Sequence, residues 1–204
     1  MEKLVLSTAY FPPVSYFSLI ANHSETFFEI YENYIKQTYR NRCIIYSANG
    51  RLQLSVPVIR GSFHKVQVKD LKIDYSKQWQ RMHLRALNAA YRSSAFYEYY
   101  IDDITDVINR HFDYLVDLNQ ELIQLVSGMI GIEPVLKRSL SFIPEYEGYT
   151  DRRYDLTPKR SQSEPGIRSE PYFQVFSARH GFLPDMSILD LLFNMGPESY
   201  LYLK

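Results

Sequence analysis

A chain of 204 residues can bury one good hydrophobic core, and a single domain is the expectation. Its 23 basic and 23 acidic side chains cancel, which argues against binding nucleic acid through bulk charge. The one cysteine, Cys43, excludes an intramolecular disulfide and any thiolate metal site lacking other ligand types, and no apolar run is long enough to span a bilayer.

The opening Met1–Pro13 is too short and too polar for a signal peptide, so a soluble cytoplasmic protein without membrane insertion is expected. Leu4–Ala9 reads as a buried strand, stopped by Tyr10-Phe11-Pro12-Pro13 because two prolines cannot continue a central strand. Tyr16–Ala21 reads as a helix and Thr26–Tyr31 as a second strand. Strand, loop, helix and strand make the βαβ unit of a parallel sheet, whose carboxyl edge is where α/β folds place ligands. Tyr10 and Tyr16 then either reach a ligand or only pack.

Residues 36–59 combine Lys36, Arg40 and Arg42 with a predicted hairpin. Ile44–Ala48 and Leu52–Val58 are its strands, and Asn49-Gly50 suits a type I′ turn. Pro57 puts the end of the second strand at an edge or outside the sheet. From Lys36 to Lys72 there are eight Lys or Arg and one acid, Asp70, so this segment is the candidate for meeting an anion.

Val66–Ile73 is expected to be a further strand, with Ser76 capping the helix after it. Trp79, Met82, His83, Ala86, Leu87, Ala90 and Tyr91 fall on one helical stripe. A lone histidine on such a face is more often a hydrogen-bonded core residue than a catalyst. Ile101 to Met129 continue helical spacing, in one helix or two, ending at Gly128 and Gly131. The seven acids from Glu98 to Glu121 could pair with the basic segment or form a solvated face.

Residues 144–171 hold four prolines, two glycines and few aliphatics, and are expected to form a long flexible or lid-like loop, with Arg152, Arg153, Lys159 and Arg160 able to close over an anion. Tyr172–Phe176 is predicted as a last strand. Ser187 with Asp190 resembles a capping box, and Gly196-Pro197 is a helix stop. Asp185 has no such explanation.

No GxGxxG, P-loop, GxSxG, HExxH or CxxC motif is present, and the five histidines show no metal spacing. The residues alone predict a mixed α/β domain spanning 1–204, with α+β as the alternative: a central, mostly parallel sheet, a β-hairpin and a helical middle. No cofactor or metal is predicted.

Tyr10-Phe-Pro-Pro-Val-Ser-Tyr-Phe, Lys36 followed by Arg40-Asn-Arg-Cys-Ile-Ile, Leu54-Ser-Val-Pro-Val, Trp79 with His83, Ala90-Tyr91 and Phe182-Leu-Pro-Asp-Met-Ser-Ile-Leu-Asp-Leu-Leu-Phe-Asn-Met-Gly-Pro follow one another in an order and spacing that resemble the WbqC-like family of bacterial proteins. The chain departs from that pattern twice. The family's opening Gln-Pro-x-Tyr-Phe-Pro is replaced here by Ser7-Thr8-Ala9 before Tyr10, and a glycine-rich stretch before the closing motif is missing.

The resemblance implies a transferase of surface polysaccharide (O-antigen-type) biosynthesis, moving a glycyl or acyl group to a sugar and taking an anionic substrate such as a sugar nucleotide. In that reading Lys36, Arg40 and Arg42 hold phosphates, His83 is the base, Trp79 stacks, and Tyr10 and Asn41 orient polar groups. The alternative is a non-catalytic binding or interaction protein of the same pathway, its tyrosine-rich surface an interface to a partner or, as a homo-oligomer, to itself. A third reading, by fold analogy only, puts a nucleotide at the Tyr10–Tyr16 loop.

Overall fold

The computed structural model describes residues 2–59, 65–158 and 170–204. In chain order its elements are β1 (Lys3–Ser7), α1 (Val14–Ala21), β2 (Glu25–Glu29), β3 (Arg42–Ser47), β4 (Gly50–Ser55), β5 (Val58–Ile59), β6 (Lys72–Ile73), α2 (Trp79–Tyr91), α3 (Tyr97–Asn109), α4 (Leu115–Ile130), β7 (Leu136–Arg138), β8 (Tyr149–Asp151), α5 (Ser177–His180) and α6 (Ile188–Met195). Three short 3₁₀ segments, Tyr39–Asn41, Val68–Asp70 and Gly196–Leu203, join them.

The βαβ expectation holds. β1 and β2 pair in parallel, Lys3 against Glu25 through Ser7 against Glu29. β7 adds beside β2 and β8 beside β1, both parallel, giving the order β7-β2-β1-β8. One sheet face, with Leu4, Leu6 and Phe28, joins the main core together with α1, the hairpin and the helices. β8 corrects the reading of 144–171 as a coreless loop: residues 149–151 are an edge strand of the central sheet. Composition hides this because three residues suffice for a strand when a neighbour supplies the hydrogen bonds. Lys159 and Arg160 lie outside the described residues.

The hairpin β3–β4 forms as predicted, but not its turn. Ser47 pairs with Gly50, so the loop is Ala48-Asn49, and of the four residues only Gly50 has a positive φ, 90°. A left-handed glycine after the two loop residues is the bulge-forming arrangement, not type I′, which needs two positive φ values. Val66–Ile73 is a 3₁₀ turn followed by the two-residue β6, not one strand. Ser76 caps nothing: α2 starts at Trp79 without a side-chain cap, and the Ser76 N–H instead donates to Asp74 Oδ1 at 2.9 Å. The middle region is two helices, α3 and α4; of its seven acids Glu121 pairs with Arg110 and Asp117 with Arg138, while Glu98, Asp102, Asp103 and Asp106 are exposed.

The chain end is fastened by buried polar groups. Tyr172–Phe176 is not a strand; its side chains dock it. The Tyr172 hydroxyl and the Gln174 amide each donate to Asp190 Oδ2 at 2.7 Å, and Gln174 brackets the Leu183 backbone on both sides. Asp190 is therefore a core anchor and not half of a capping box, and burial pushes its carboxyl up to about 6 against those hydrogen bonds. Ser187 does cap α6, accepting from the Leu189 N–H. Asp185, unexplained by sequence, accepts the Ser15 N–H at 2.9 Å and so serves the first turn of α1.

Gly196 ends α6 with φ +54°, and a Cβ built there would lie 2.5 Å from the Phe96 ring. Gly196→Ala should therefore lower stability by roughly 1–3 kcal/mol through overpacking and left-handed backbone strain. Chemical denaturation reads this directly, and an unchanged midpoint would show that the Phe96 ring yields freely.

Candidate functional site

Three strands end together at the carboxyl edge of the sheet, and buried charges gather there. From β1, Ser7 presents its hydroxyl. From the segment after β2 comes Glu32, and from the 3₁₀ turn before the hairpin comes Arg40. Arg40, 3% exposed, places Nε and Nη2 on Glu32 Oε1 at 2.8 and 2.6 Å, and donates from Nη2 to Ser7 Oγ at 2.7 Å. Ser7 Oγ in turn donates to the Arg153 carbonyl just past β8 (2.8 Å), and the Tyr16 hydroxyl from α1 donates to the Ser7 carbonyl at the same distance. The Arg40 carbonyl accepts from Asn119 of α4, 2.8 Å. Burial raises the Glu32 carboxyl and Arg40 opposes that rise.

A second buried carboxylate, Glu29, sits one strand-end away. It accepts from the Ser139 hydroxyl, the Tyr31 N–H and the Tyr146 hydroxyl at 2.7–3.0 Å. Arg153 lies 3.7 Å from it and is held by Asp151 and the carbonyls of Ile143 and Pro144. These interactions seal the carboxyl half of the outer sheet face beneath residues 142–154.

Between the ends of β1 and β8 lies a small cleft lined by Ser7, Thr8, Tyr16, Arg40, Arg152 and Leu156, with a volume of about 10 Å³. That is room for one water. Its position is distinctive. From β1 the sheet grows one way to β2 and β7 and the other way to β8, so strand order reverses at the β1/β8 boundary, the crevice where open α/β sheets bind ligands. Three polar groups in or against it are uncommitted among the described residues, one of them the buried Glu32 Oε2. The Thr8 hydroxyl is buried with no hydrogen-bond partner, and Arg40 Nη1 makes no hydrogen bond among the described residues. The wall formed by Arg152 is loose, because its guanidinium is held by a half-exposed pair to Asp155 at 2.8 Å.

The structure divides the sequence-predicted residues between this cleft and other places. Arg40 is in the cleft. Lys36 is exposed, and Arg42 lies on the hairpin with Nη1 on Gln53 at 2.8 Å. Asn41 is buried and ties the hairpin down, donating to the Val56 carbonyl and accepting from the Tyr34 hydroxyl. Tyr10, Trp79 and His83 form one aromatic cluster, with ring centroids 5.2–6.4 Å apart.

His83 is 3% exposed, with Nδ1 2.9 Å from the Tyr10 hydroxyl and a further hydrogen bond to the Ser55 backbone. Burial pulls it down to about 4, the Ser55 bond opposing, so it is neutral at pH 7. Trp79 Nε1 is buried with no hydrogen-bond partner.

Most N–H groups of the Tyr10–Tyr16 loop are already committed, that of Phe11 excepted. Its Tyr10, Val14, Ser15 and Tyr16 N–H groups already bond Tyr39, Met186, Asp185 and Pro13, while Pro12 and Pro13 have none. Cys43 is buried and its thiol is pushed up by desolvation. Among the described residues no cluster of His, Cys, Asp or Glu has metal-site geometry, and no helix is long and apolar enough to cross a membrane.

Sequence reasoning missed Ser7, Thr8, Glu29 and Glu32. One signal was available: Glu29 and Glu32 interrupt the otherwise aromatic and aliphatic run Thr26–Tyr34, and acids in such a run are either on an exposed edge or in need of buried cations.

The model of the WbqC-like protein family matches residues 8–164. The closing motif at 182–197 lies beyond that stretch. The chain is also similar to Rv1507c, an uncharacterized protein of Mycobacterium tuberculosis, with 31% identity over an alignment of 232 residues that covers 100% of this chain and 98% of the relative. No solved structure matches.

Two outcomes test this geometry. Glu32→Ala leaves the Arg40 guanidinium buried and unpaired, and should cost roughly 3–5 kcal/mol; a loss under 1 kcal/mol in denaturant titration would show that water reaches Arg40. The pH profile is the second. His83 falls from 6.5 to about 4 on folding, so its contribution is complete above pH 6.5 and is lost as pH falls towards 4, by roughly 3 kcal/mol. Asp190 rises from 3.8 to about 6, so its ionisation destabilises the fold above pH 6 and that penalty disappears as pH falls towards 3.8, again by roughly 3 kcal/mol. The two nearly cancel in the wild type. Between pH 6.5 and 4, Asp190→Asn should lose stability on acidification and His83→Gln should gain it; parallel slopes in the two variants would refute the assignment.

Proposed function

Because the chain belongs to the WbqC-like protein family, we propose that it binds an anionic small molecule of the sugar-nucleotide type at the β1/β8 crevice and acts as a transferase of surface-polysaccharide assembly, glycyl or acyl transfer to a sugar being the finer reading. The observation that carries the binding half is the fixed, uncommitted Nη1 of Arg40 beside the unpartnered hydroxyl of Thr8. A guanidinium already oriented by Glu32 and Ser7 loses little freedom on meeting a phosphate, and a buried hydroxyl without a partner gains a full hydrogen bond when a ligand supplies one.

The cleft holds one water as it stands, so the ligand enters by swinging aside the Arg152 side chain, whose exposed pair to Asp155 is a weak restraint, while the buried Arg153 keeps the turn in place. Charge in the cleft is balanced, since Arg40, Arg152 and Arg153 each face a carboxylate. This supports a mono- or dianionic ligand and not a polyanion.

One observation favours the second reading, a binding protein of the same pathway without turnover. His83 is enclosed, neutral and bonded on both sides, which removes the base that the catalytic version assigned to it.

Calorimetry with nucleotide sugars, free nucleotides and inorganic phosphate tests the site. Arg152→Ala and Thr8→Val should each weaken binding by about tenfold, the size of one lost charge-assisted or buried hydrogen bond, with melting temperatures close to wild type. Arg42→Ala should bind as wild type. Binding that survives both cleft variants and fails in Arg42→Ala would move the site to the hairpin. A chromatographic turnover assay with the ligand that binds then separates enzyme from binding protein.

A further inference from the structure

α2 and α3 lie side by side and run in opposite directions. Near one end Gln80 Nε2 donates to the Ile108 carbonyl at 2.8 Å, and near the other the Tyr97 hydroxyl reaches Asn88 Oδ1 at 3.5 Å. Both helices bury one face, His83 and Leu87 marking it on α2, Ile104 and Ile108 on α3. The opposite faces each carry charge of a single sign. The outer stripe of α2 is Arg81 and Arg85, continued by Arg92 at its cap, and the helix contains no acid. The outer stripe of α3 is Glu98, Asp102, Asp103 and Asp106, and that helix contains no Lys or Arg. All of these side chains are exposed, and none makes an ion pair among the described residues.

The heights of the charges match. Counting along the helices between the Gln80–Ile108 and Asn88–Tyr97 contacts, Arg81 stands level with Asp106 and Arg85 with Asp102, to within about one turn. A second copy brings such stripes into contact. A twofold axis parallel to the helices keeps every residue at its height and exchanges left for right. Each α2 then faces the other copy's α3, with arginine over carboxylate at both levels, as an isologous interface requires. A twofold axis across the helices would set arginine on arginine and acid on acid. The adjoining acids also disfavour a flat polyanion, because a surface that met the arginines would lie on the α3 carboxylates as well.

We propose that the α2–α3 face is a self-association surface that closes two copies into an antiparallel four-helix contact with crossed charges. Met82 and Tyr99, 65% and 77% exposed on these helices, supply its apolar contacts. Each helix has 13 residues and is about 20 Å long. The face is therefore smaller than a standard interface, and the dimer is weak and depends on charge. No residue lining the β1/β8 cleft belongs to α2 or α3.

Sedimentation of the full chain at high micromolar concentration and low salt tests this. The wild type should sediment at twice the 24.1 kDa chain mass. It should return to the single mass in molar salt, where charges are screened beyond about 3 Å. Arg81→Glu/Arg85→Glu makes both stripes acidic, and Asp102→Arg/Asp103→Arg/Asp106→Arg makes both basic. Each variant should keep the single mass alone, with a melt close to wild type because the changed side chains are exposed. An equal mixture of the two should recover the doubled mass. A wild type of single mass at every concentration overturns the proposal, as does a doubled mass that persists in molar salt or in Arg81→Glu/Arg85→Glu. A mixture that stays at the single mass overturns the crossed arrangement.

Discussion

The Arg40–Glu32 pair is the constraint on which the rest of the structure depends. A guanidinium taken out of water needs a carboxylate and further acceptors, and the interior supplies those of Nε and Nη2 only if several segments arrive together. Glu32 follows β2, Ser7 ends β1, Asn119 comes from α4 onto the Arg40 carbonyl, and the Arg153 carbonyl follows β8. None of these groups is satisfied if one segment is misplaced. The pair is therefore weak as a source of net stability and strong as a specification of which strand ends meet.

The same logic extends outward. Glu29 holds the 139–146 segment through Ser139 and Tyr146, and Arg153 ties that segment to β8. At the far end of the molecule Asp190 holds Tyr172 and Gln174, and Asp185 holds the first turn of α1. In each case a buried acid fixes a stretch of chain by hydrogen bonds that apolar packing does not supply. The abundant tyrosines fit this scheme: Tyr16, Tyr46, Tyr146 and Tyr172 each fill apolar volume with the ring and end in a hydrogen bond to backbone or carboxylate.

This use of buried acids shapes the functional reading as well. The cleft is cationic in residue type but balanced in charge, because its guanidiniums are first of all structural. In the proposed binding role, Arg40 Nη1 and the Thr8 hydroxyl are the donors that would meet a ligand, in the crevice where strand order reverses. The histidine that sequence logic favours is spent on Tyr10 and the Ser55 backbone in a separate aromatic cluster.

Elements whose causes are local are legible along the chain. Prolines after the first strand, most of the apolar stripe of α2, the stops at Gly131 and Gly196 and the hairpin pattern are short-range signals that appear in the fold, whereas Gly128 lies inside α4 and Met82 is exposed. So does the parallel βαβ unit, since β1, α1 and β2 adjoin in the chain. The ordered motifs were also enough to name the family. Where the charges go is settled by contacts between distant segments. Whether Arg40 or Arg42 turns inward depends on Glu32 and Ser7, which are 8 and 33 residues from Arg40. Whether 149–151 is loop or strand depends on an open edge of β1 that no local pattern reveals. A buried ion pair and an edge strand are both settled by partners distant in sequence, and a single chain read along its length carries no record of those distances.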